Sequence, residues 1–348
     1  MISLFRFCHA FLALGAAKLV LGDTLDSNNF VVSGYFPDYR AGINVEESAH
    51  ILTDLILYSI EPVLDRSILE EDVCCVQKDH YERARQIRNT RNQTVENGGD
   101  FNIFVSIGGG GRSSAMKQIA ATKQSRSIFI SDLKKLCIRE ELNGVDFDWE
   151  QPATNDEYLS YMHLIAEAAT ELHKHNIKVS VALHANQFLF KEVYDYVDQV
   201  NLMAYDMVVP NSNEHHASFI NAHKAVDVLV ESGCHPSKIV LGIPAYGRDT
   251  RNPGNIKTHH EVVDALVKEK NHDEEGILSI EGDGEAVFIE SFASVKDKVK
   301  MAVSNKLKGI FIWEIGQDYR EPPFQHGLIL GHVENALADI NEENAEEL

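Results

Sequence analysis

The chain has 348 residues, a formal net charge of −21 and a hydrophobic share of 44 %. That length allows one large α/β domain with a sizeable core. So acidic a balance excludes the basic footprint that holds nucleic acid or an anionic membrane surface, and it fits a neutral or cationic ligand.

Residues 1–22 read as a secretory leader. Arg6 opens it, an apolar run over 7–21 follows with breaks at His9 and Lys18, and Val20 and Gly22 precede a cut at Asp23. The uncharged part is too short to span a bilayer and no other segment is suited to do so, so a secreted chain with no membrane partner is expected. Short β-rich runs follow at 31–36, 55–60, 102–107, 144–148, 178–183, 199–203, 239–243 and 309–313. Helical stretches lie between them. In one, Leu159, Met162, Ala166, Ala169 and Leu172 repeat at helical spacing behind Asn155 and Asp156, read as its caps. Strands alternating with helices predict βαβ units on a parallel sheet, and eight units predict a closed (β/α)8 TIM barrel of the α/β class.

No linker or short repeat divides the chain, so 23–340 is expected to form a single domain. The longest gap, 249–308, also holds a helix over 295–304, which leaves room for at most a small insertion between strands seven and eight. Residues 341–348 read as an acidic, frayed tail. Cys8 leaves with the leader, and Cys74, Cys75, Cys137 and Cys234 allow three pairings that sequence does not rank. Adjacent Cys74 and Cys75 are not expected to bridge each other. Asn92-Gln93-Thr94 is a glycosylation sequon in a polar, surface-like stretch.

In such a barrel the working residues lie at the carboxyl ends of strands. Strand four supplies Asn-Gly-Val-Asp-Phe-Asp-Trp-Glu at 143–150. Positions two apart on a strand share a face, so Asp146, Asp148 and Glu150 stack in a row, with Phe147 and Trp149 opposite. Like charges so close cannot all ionise, so one carboxyl should keep its proton near neutral pH, as general-acid chemistry requires. The other strand ends add Tyr35, the pair Gly108 and Gly109, then Met203, Tyr205 and Asp206, then Arg248, and finally Trp313. Gly108 to Gly111 lacks the Gly-Lys-Ser/Thr of a phosphate loop and reads as backbone passing close to the carboxylates. Thr258 with Glu261 three residues on is a capping box, so His259 and His260 read as first-turn residues rather than metal ligands. No metal site and no cofactor are expected.

These motifs together resemble family 18 of the glycoside hydrolases, the chitinase group. Residues 143–152 are similar to its Asp-Gly-x-Asp-x-Asp-x-Glu-x-Pro signature, with Pro152 in place. Ser106 to Gly109 resembles its Ser-x-Gly-Gly motif, and Met203 to Asp206 and Trp313 resemble its strand-six and strand-eight motifs. The resemblance runs in order from about Val31 to Asp318. It implies a retaining, substrate-assisted hydrolysis in which the substrate's 2-acetamido carbonyl is the nucleophile, an exception to the usual carboxylate pair. Glu150 is then the acid, Asp148 orients the acetamido group, Asp146 shares a proton with Asp148, and Tyr205 donates to the acetamido oxygen. Trp313 floors the sugar, and Asp206, Tyr35 and Arg248 contact sugar hydroxyls. The partners implied are chitin or N-acetylglucosamine oligosaccharides, cut internally by a monomer.

Two positions depart from the signature. Asn143 stands where the family has its first aspartate, an expected source of an altered pH profile, and Gln151 stands for a common tyrosine. With Trp149 and Trp313 the sole tryptophans, a shallow, open groove for soluble or swollen substrate is expected. The same signature serves endo-β-N-acetylglucosaminidases of N-glycan cores, and a lectin that kept the barrel is the non-enzymatic alternative.

Overall fold

The computed structural model describes residues 30–346 apart from 41, 71–72, 95–100, 209–213, 270–277 and 283–284. The leader therefore lies outside the described residues. Eight parallel strands close a barrel: β1 (Val31–Pro37), β2 (Asp54–Ile60), β3 (Asn102–Gly108), β4 (Gly144–Asp148), β5 (Lys178–His184), β6 (Gln199–Met203), β7 (Ile239–Pro244) and, last in the chain, β12 (Gly309–Trp313). Each falls where the β-rich runs predict it, and β4, β6 and β12 share both predicted ends. Outside them pack α1 (Lys78–Thr94), α2 (Met116–Ala121), α3 (Lys123–Glu140), α4 (Asn155–Leu172), α5 (Lys191–Tyr194), α6 (Phe219–Glu231), α8 (Phe292–Ser304) and α9 (Leu328–Glu346).

Alternation along the strands splits the core in two. Leu55, Val105, Phe147, Val181 and Leu202 point outward into the layer shared with the helices. Tyr35, Ile56, Phe104, Ala182, Met203 and Phe311 fill the barrel itself. Trp149 belongs to the outer layer, its ring edge-on to Tyr161 at 5.3 Å. It is therefore unavailable to a groove.

Four expectations are amended. The cap of α4 is Thr154, whose hydroxyl accepts from the Glu157 amide, rather than Asn155 or Asp156. Cys74 and Cys75 do bridge each other: their peptide bond is cis and holds the Cα atoms 3.0 Å apart, the spacing a cis bond imposes. Cys137 and Cys234 are buried and free. Helix α9 carries the chain to Glu346, through most of the segment expected to fray.

The insertion between β7 and β12 contains more regular structure than its length suggested. β8 (Tyr246–Asp249), β9 (Ile256–Thr258), α7 (His259–Glu269), β10 (Leu278–Gly282) and β11 (Glu285–Ile289) form a sheet in the order β10-β11-β8-β9 with one helix. Its helix starts as predicted: the Glu261 amide donates to the Thr258 hydroxyl at 3.0 Å, and the Thr258 amide to the Glu261 carboxylate at 2.7 Å. Among the described residues no helix is long and apolar enough to cross a membrane.

Candidate active site

Strand pairing sets the floor of the site. Register aligns Ser106 on β3, Asp146 on β4 and Ser180 on β5 in one row. Asp146 is fully buried, and four donors fill its two oxygens. Ser106 and Tyr35 donate to Oδ2 at 3.0 Å each, while Ser180 and Asn201 donate to Oδ1 at 2.6 and 3.0 Å. Asn201 also donates to the Tyr35 hydroxyl at 2.8 Å, which closes the network. Burial raises the Asp146 pKa despite these donors. These four contacts do not include Asp148, with which the resemblance implies a shared proton.

Asp148 sits one pleat nearer the carboxyl end, 3 % exposed, and its Oδ1 is buried without a hydrogen-bond partner. Burial first, then the charges of Glu150 and Asp146, push its pKa well up, the direction expected for stacked carboxyls. Glu150 lies just past the strand, its side chain 28 % exposed, with Oε2 3.5 Å from His184 Nε2. Thus the row of three grades from sealed to solvent-facing.

The glycines give this row its room. Gly108 and Gly109 both have φ of +94°, and the Gly109 amide donates to the Asp148 carbonyl at 2.6 Å. A Cβ on Gly109 would stand 1.9 Å from the Tyr58 hydroxyl, whereas one on Gly111 (φ +77°) would meet nothing within 4 Å. Gly109→Ala should therefore lower stability by about 1–3 kcal/mol from backbone strain and by more from the clash. Gly111→Ala carries strain alone. Urea midpoints of the two variants measure the difference, and equal midpoints would remove the close-approach explanation.

Around the row, Tyr205 is 7 % exposed, and burial raises its pKa, with smaller contributions from Tyr246, Asp206 and the carboxyls. It is therefore a lasting hydrogen-bond donor. Half-buried Trp313 stands edge-on to Tyr58 at 4.6 Å and to Tyr35 at 5.3 Å. Asp206 takes a left-handed φ of 61°. Its carboxylate accepts from Tyr246 at 2.6 Å and from Arg248 Nη2 at 2.7 Å, and its amide donates to His216 Nδ1 at 3.2 Å. Burial alone would raise the Asp206 pKa, but the bonds from His216, Arg248 and Tyr246 outweigh it and bring it down.

Most predicted residues converge. Asp148, Glu150, Tyr205, Asp206, Met203, Tyr35 and Trp313 line one cavity of about 280 Å³, along with Tyr39, Tyr58, Gly110, Arg112, Ala182 and His184. Asp146 lies beneath it. Arg248 acts through Asp206 and also donates to the Pro253 carbonyl, while the Tyr35 hydroxyl is committed to Asp146. Asn143 is elsewhere. It sits before the amino end of β4, where its side-chain oxygen accepts from the Ile103 amide at 2.9 Å and from Arg88 at 3.3 Å. That place, on the order of 16 Å of strand from Asp148, sets Asn143 in the framework of the barrel rather than in the cavity.

Sequence reasoning missed Ser180, Asn201, Tyr58, Tyr39, Arg112 and His184. For Ser180 and Asn201 a signal existed, since each is a polar residue inside an apolar strand. Among the described residues the one group of metal-ligating type is Glu61, Cys74 and Cys75, and its sulfurs are bonded to each other, which leaves no thiolate for a metal.

The family model for glycosyl hydrolases family 18 matches residues 40–318. Class V chitinase CHIT5a of Medicago truncatula is 26 % identical over 266 residues, 62 % of this chain and 69 % of its own length. Endochitinase 1 of Metarhizium anisopliae is 27 % identical over 262 residues, 63 % of this chain and 62 % of its own. The matched stretch thus spans about two thirds of the length of each of these two relatives. Among solved structures, the GH18 chitinase ChiB of Flavobacterium johnsoniae superposes with a TM-score of 0.73 at 21 % identity, covering 90 % of this chain and 95 % of its own. A GH18 chitinase of Cycas revoluta in complex with (GlcNAc)3 gives 0.73 at 20 %, covering 89 % and 99 %. At such identities the superpositions speak for the (β/α)8 fold.

Proposed function

Because this chain belongs to glycosyl hydrolases family 18, we propose that it is a chitinase-type endo-hydrolase cutting β-1,4 bonds between N-acetylglucosamine units with retention. The observation that carries this reading is the unpartnered Asp148 Oδ1 beside Glu150 in the cavity. A buried polar atom left unsatisfied costs about 1–3 kcal/mol. An acetamido N–H would relieve that cost and turn its own carbonyl toward the anomeric carbon.

The proposed steps use each group where it stands. Glu150, at the solvent-facing end of the row, gives its proton to the glycosidic oxygen as the C1–O bond breaks. The substrate's carbonyl oxygen closes on C1 to form an oxazolinium; its N–H and positive charge favour the carboxylate form of Asp148, which in turn stabilises that charge. Tyr205 donates to the acetamido oxygen, and Trp313 packs under the sugar's C–H face. Water then attacks C1, Glu150 takes its proton, and the ring reopens. Asp146 and its four donors hold the floor. Since Trp149 is spent on the outer core, Trp313 is the tryptophan left for sugar, which favours soluble or swollen chains over crystalline ones. Export rests on the leader pattern of residues 1–22, and we read the enzyme as an extracellular monomer.

The test is product analysis on purified protein given chitin oligosaccharides, cello-oligosaccharides and an N-glycosylated protein in parallel. Cleavage of the chitin series alone is expected. Release of N-glycans moves the assignment to the glycan-core activity, binding without cleavage moves it to a lectin, and comparable attack on cello-oligosaccharides overturns the acetamido mechanism.

A further inference from the structure

His184 ends β5 on the cavity side, and its Nε2 lies 3.5 Å from Oε2 of Glu150. The His184 side chain is 39 % exposed and the Glu150 side chain 28 %, so the pair meets at the mouth of the site rather than in the core. The turn after β5 holds the ring's backbone in place: the His184 amide donates to Gln187 Oε1 at 3.3 Å, and the Gln187 amide to the His184 carbonyl at 2.8 Å.

Other charged and titratable groups face the same space from the neighbouring elements. Asp148 comes from β4, Tyr58 from β2, Arg112 from the segment after β3, and Tyr205 and Asp206 from the segment after β6. Two of these ionic groups are already matched, Arg112 with Asp38 at 2.6 Å and Asp206 with Arg248. His184 is the cation-capable group whose ion-pair partner is Glu150.

We infer that His184 is a positioning residue for the acid, an imidazole that orients the Glu150 carboxyl and stabilises the negative charge it acquires on losing its proton. The inference rests on the acid role proposed for Glu150. A carboxyl that must first give and then retrieve a proton gains from a neighbour that stabilises its anion in between. A protonated imidazole would supply this stabilisation as a charge, and a neutral one as a hydrogen-bond donor. A purely structural His184 would leave the pH dependence of turnover unmoved.

The decisive set is wild type with His184→Leu, His184→Gln and His184→Arg, all checked for folding by circular dichroism. Two readouts apply: the pH profile of kcat on a chitin oligosaccharide, and the carbon-13 titration of the Glu150 carboxyl. In His184→Leu, kcat should fall about tenfold with KM little changed, and the alkaline limb should move to higher pH. His184→Arg, a permanent cation, should move that limb to lower pH. His184→Gln, a neutral donor, should fall between Leu and wild type. The carboxyl titration should shift in the same directions. Unchanged limbs and an unchanged titration across the set would overturn the inference. If wild type cleaves nothing, the chitinase reading fails on its own, and the titration still decides whether His184 governs Glu150.

Discussion

Glu150→Gln is expected to lower kcat on chitin oligosaccharides by about 10²–10⁴-fold while oligosaccharide binding survives. Glutamine keeps the shape and still donates hydrogen bonds, but its amide N–H is not acidic enough to give a proton to the leaving oxygen. Binding should persist because the other cavity groups, Tyr205, Asp206, Met203 and Trp313 among them, are untouched. The variant also removes one of the charges that raise the Asp148 pKa, so any residual turnover should show an altered pH dependence. Isothermal titration with a chitin oligosaccharide beside an activity assay gives both numbers. Turnover near the wild-type rate would withdraw the acid role from Glu150.

The second large effect concerns stability, far from the chemistry. Lys298 on α8 and Glu290 just before it are both fully buried side chains in direct ion-pair contact. Lys298 also donates to the Ala217 carbonyl at 2.6 Å, and Ser294 to Glu290 Oε2 at 2.6 Å. Burial would raise the Glu290 pKa, but the Lys298 charge and the hydrogen bonds from Lys298 and Ser294 hold it down, so the carboxylate stays charged. His215 nearby is pushed down to about 3, chiefly by burial and against the pull of Glu290, so it remains neutral. Lys298→Met leaves the carboxylate charged with no cation, a loss of about 3–5 kcal/mol. Adding Glu290→Gln should recover much of it, because a neutral amide is far cheaper to bury. Urea unfolding of the single and double variants is the measurement. A single variant within about 1 kcal/mol of wild type would mean that water reaches the pair.

Much of this architecture was legible in the sequence for a physical reason. Strands of a parallel barrel are covered on both faces, so a run such as 239–243, Ile-Val-Leu-Gly-Ile, stands out as an apolar stretch. The row of carboxyls was legible because Asp146, Asp148 and Glu150 obey the two-residue period of a strand that Phe147 and Trp149 pin from the other face. What stayed hidden was set by contacts distant in sequence. The donors around Asp146 come from β1, β3, β5 and β6, and no local pattern says that a serine at 180 must reach a carboxylate at 146. The insertion sheet was obscured by the brevity of β8 and β9, where Tyr-Gly-Arg-Asp reads as a turn. Thr154 lost the cap to Asn155 and Asp156 on paper because all three side chains can cap, and only the backbone decides which one turns inward.

The grip on Asp206 has a mechanical meaning. Two of the three side chains that hold it, Tyr246 and Arg248, belong to β8, and β8 is pinned to β11 through Arg248 opposite Phe288 and Asp249 opposite Val287. The barrel therefore supplies one jaw of a vice and the inserted sheet the other, with Asp206 clamped between them. How wide the jaws stand is fixed by a strand register, which moves in whole residues rather than by degrees.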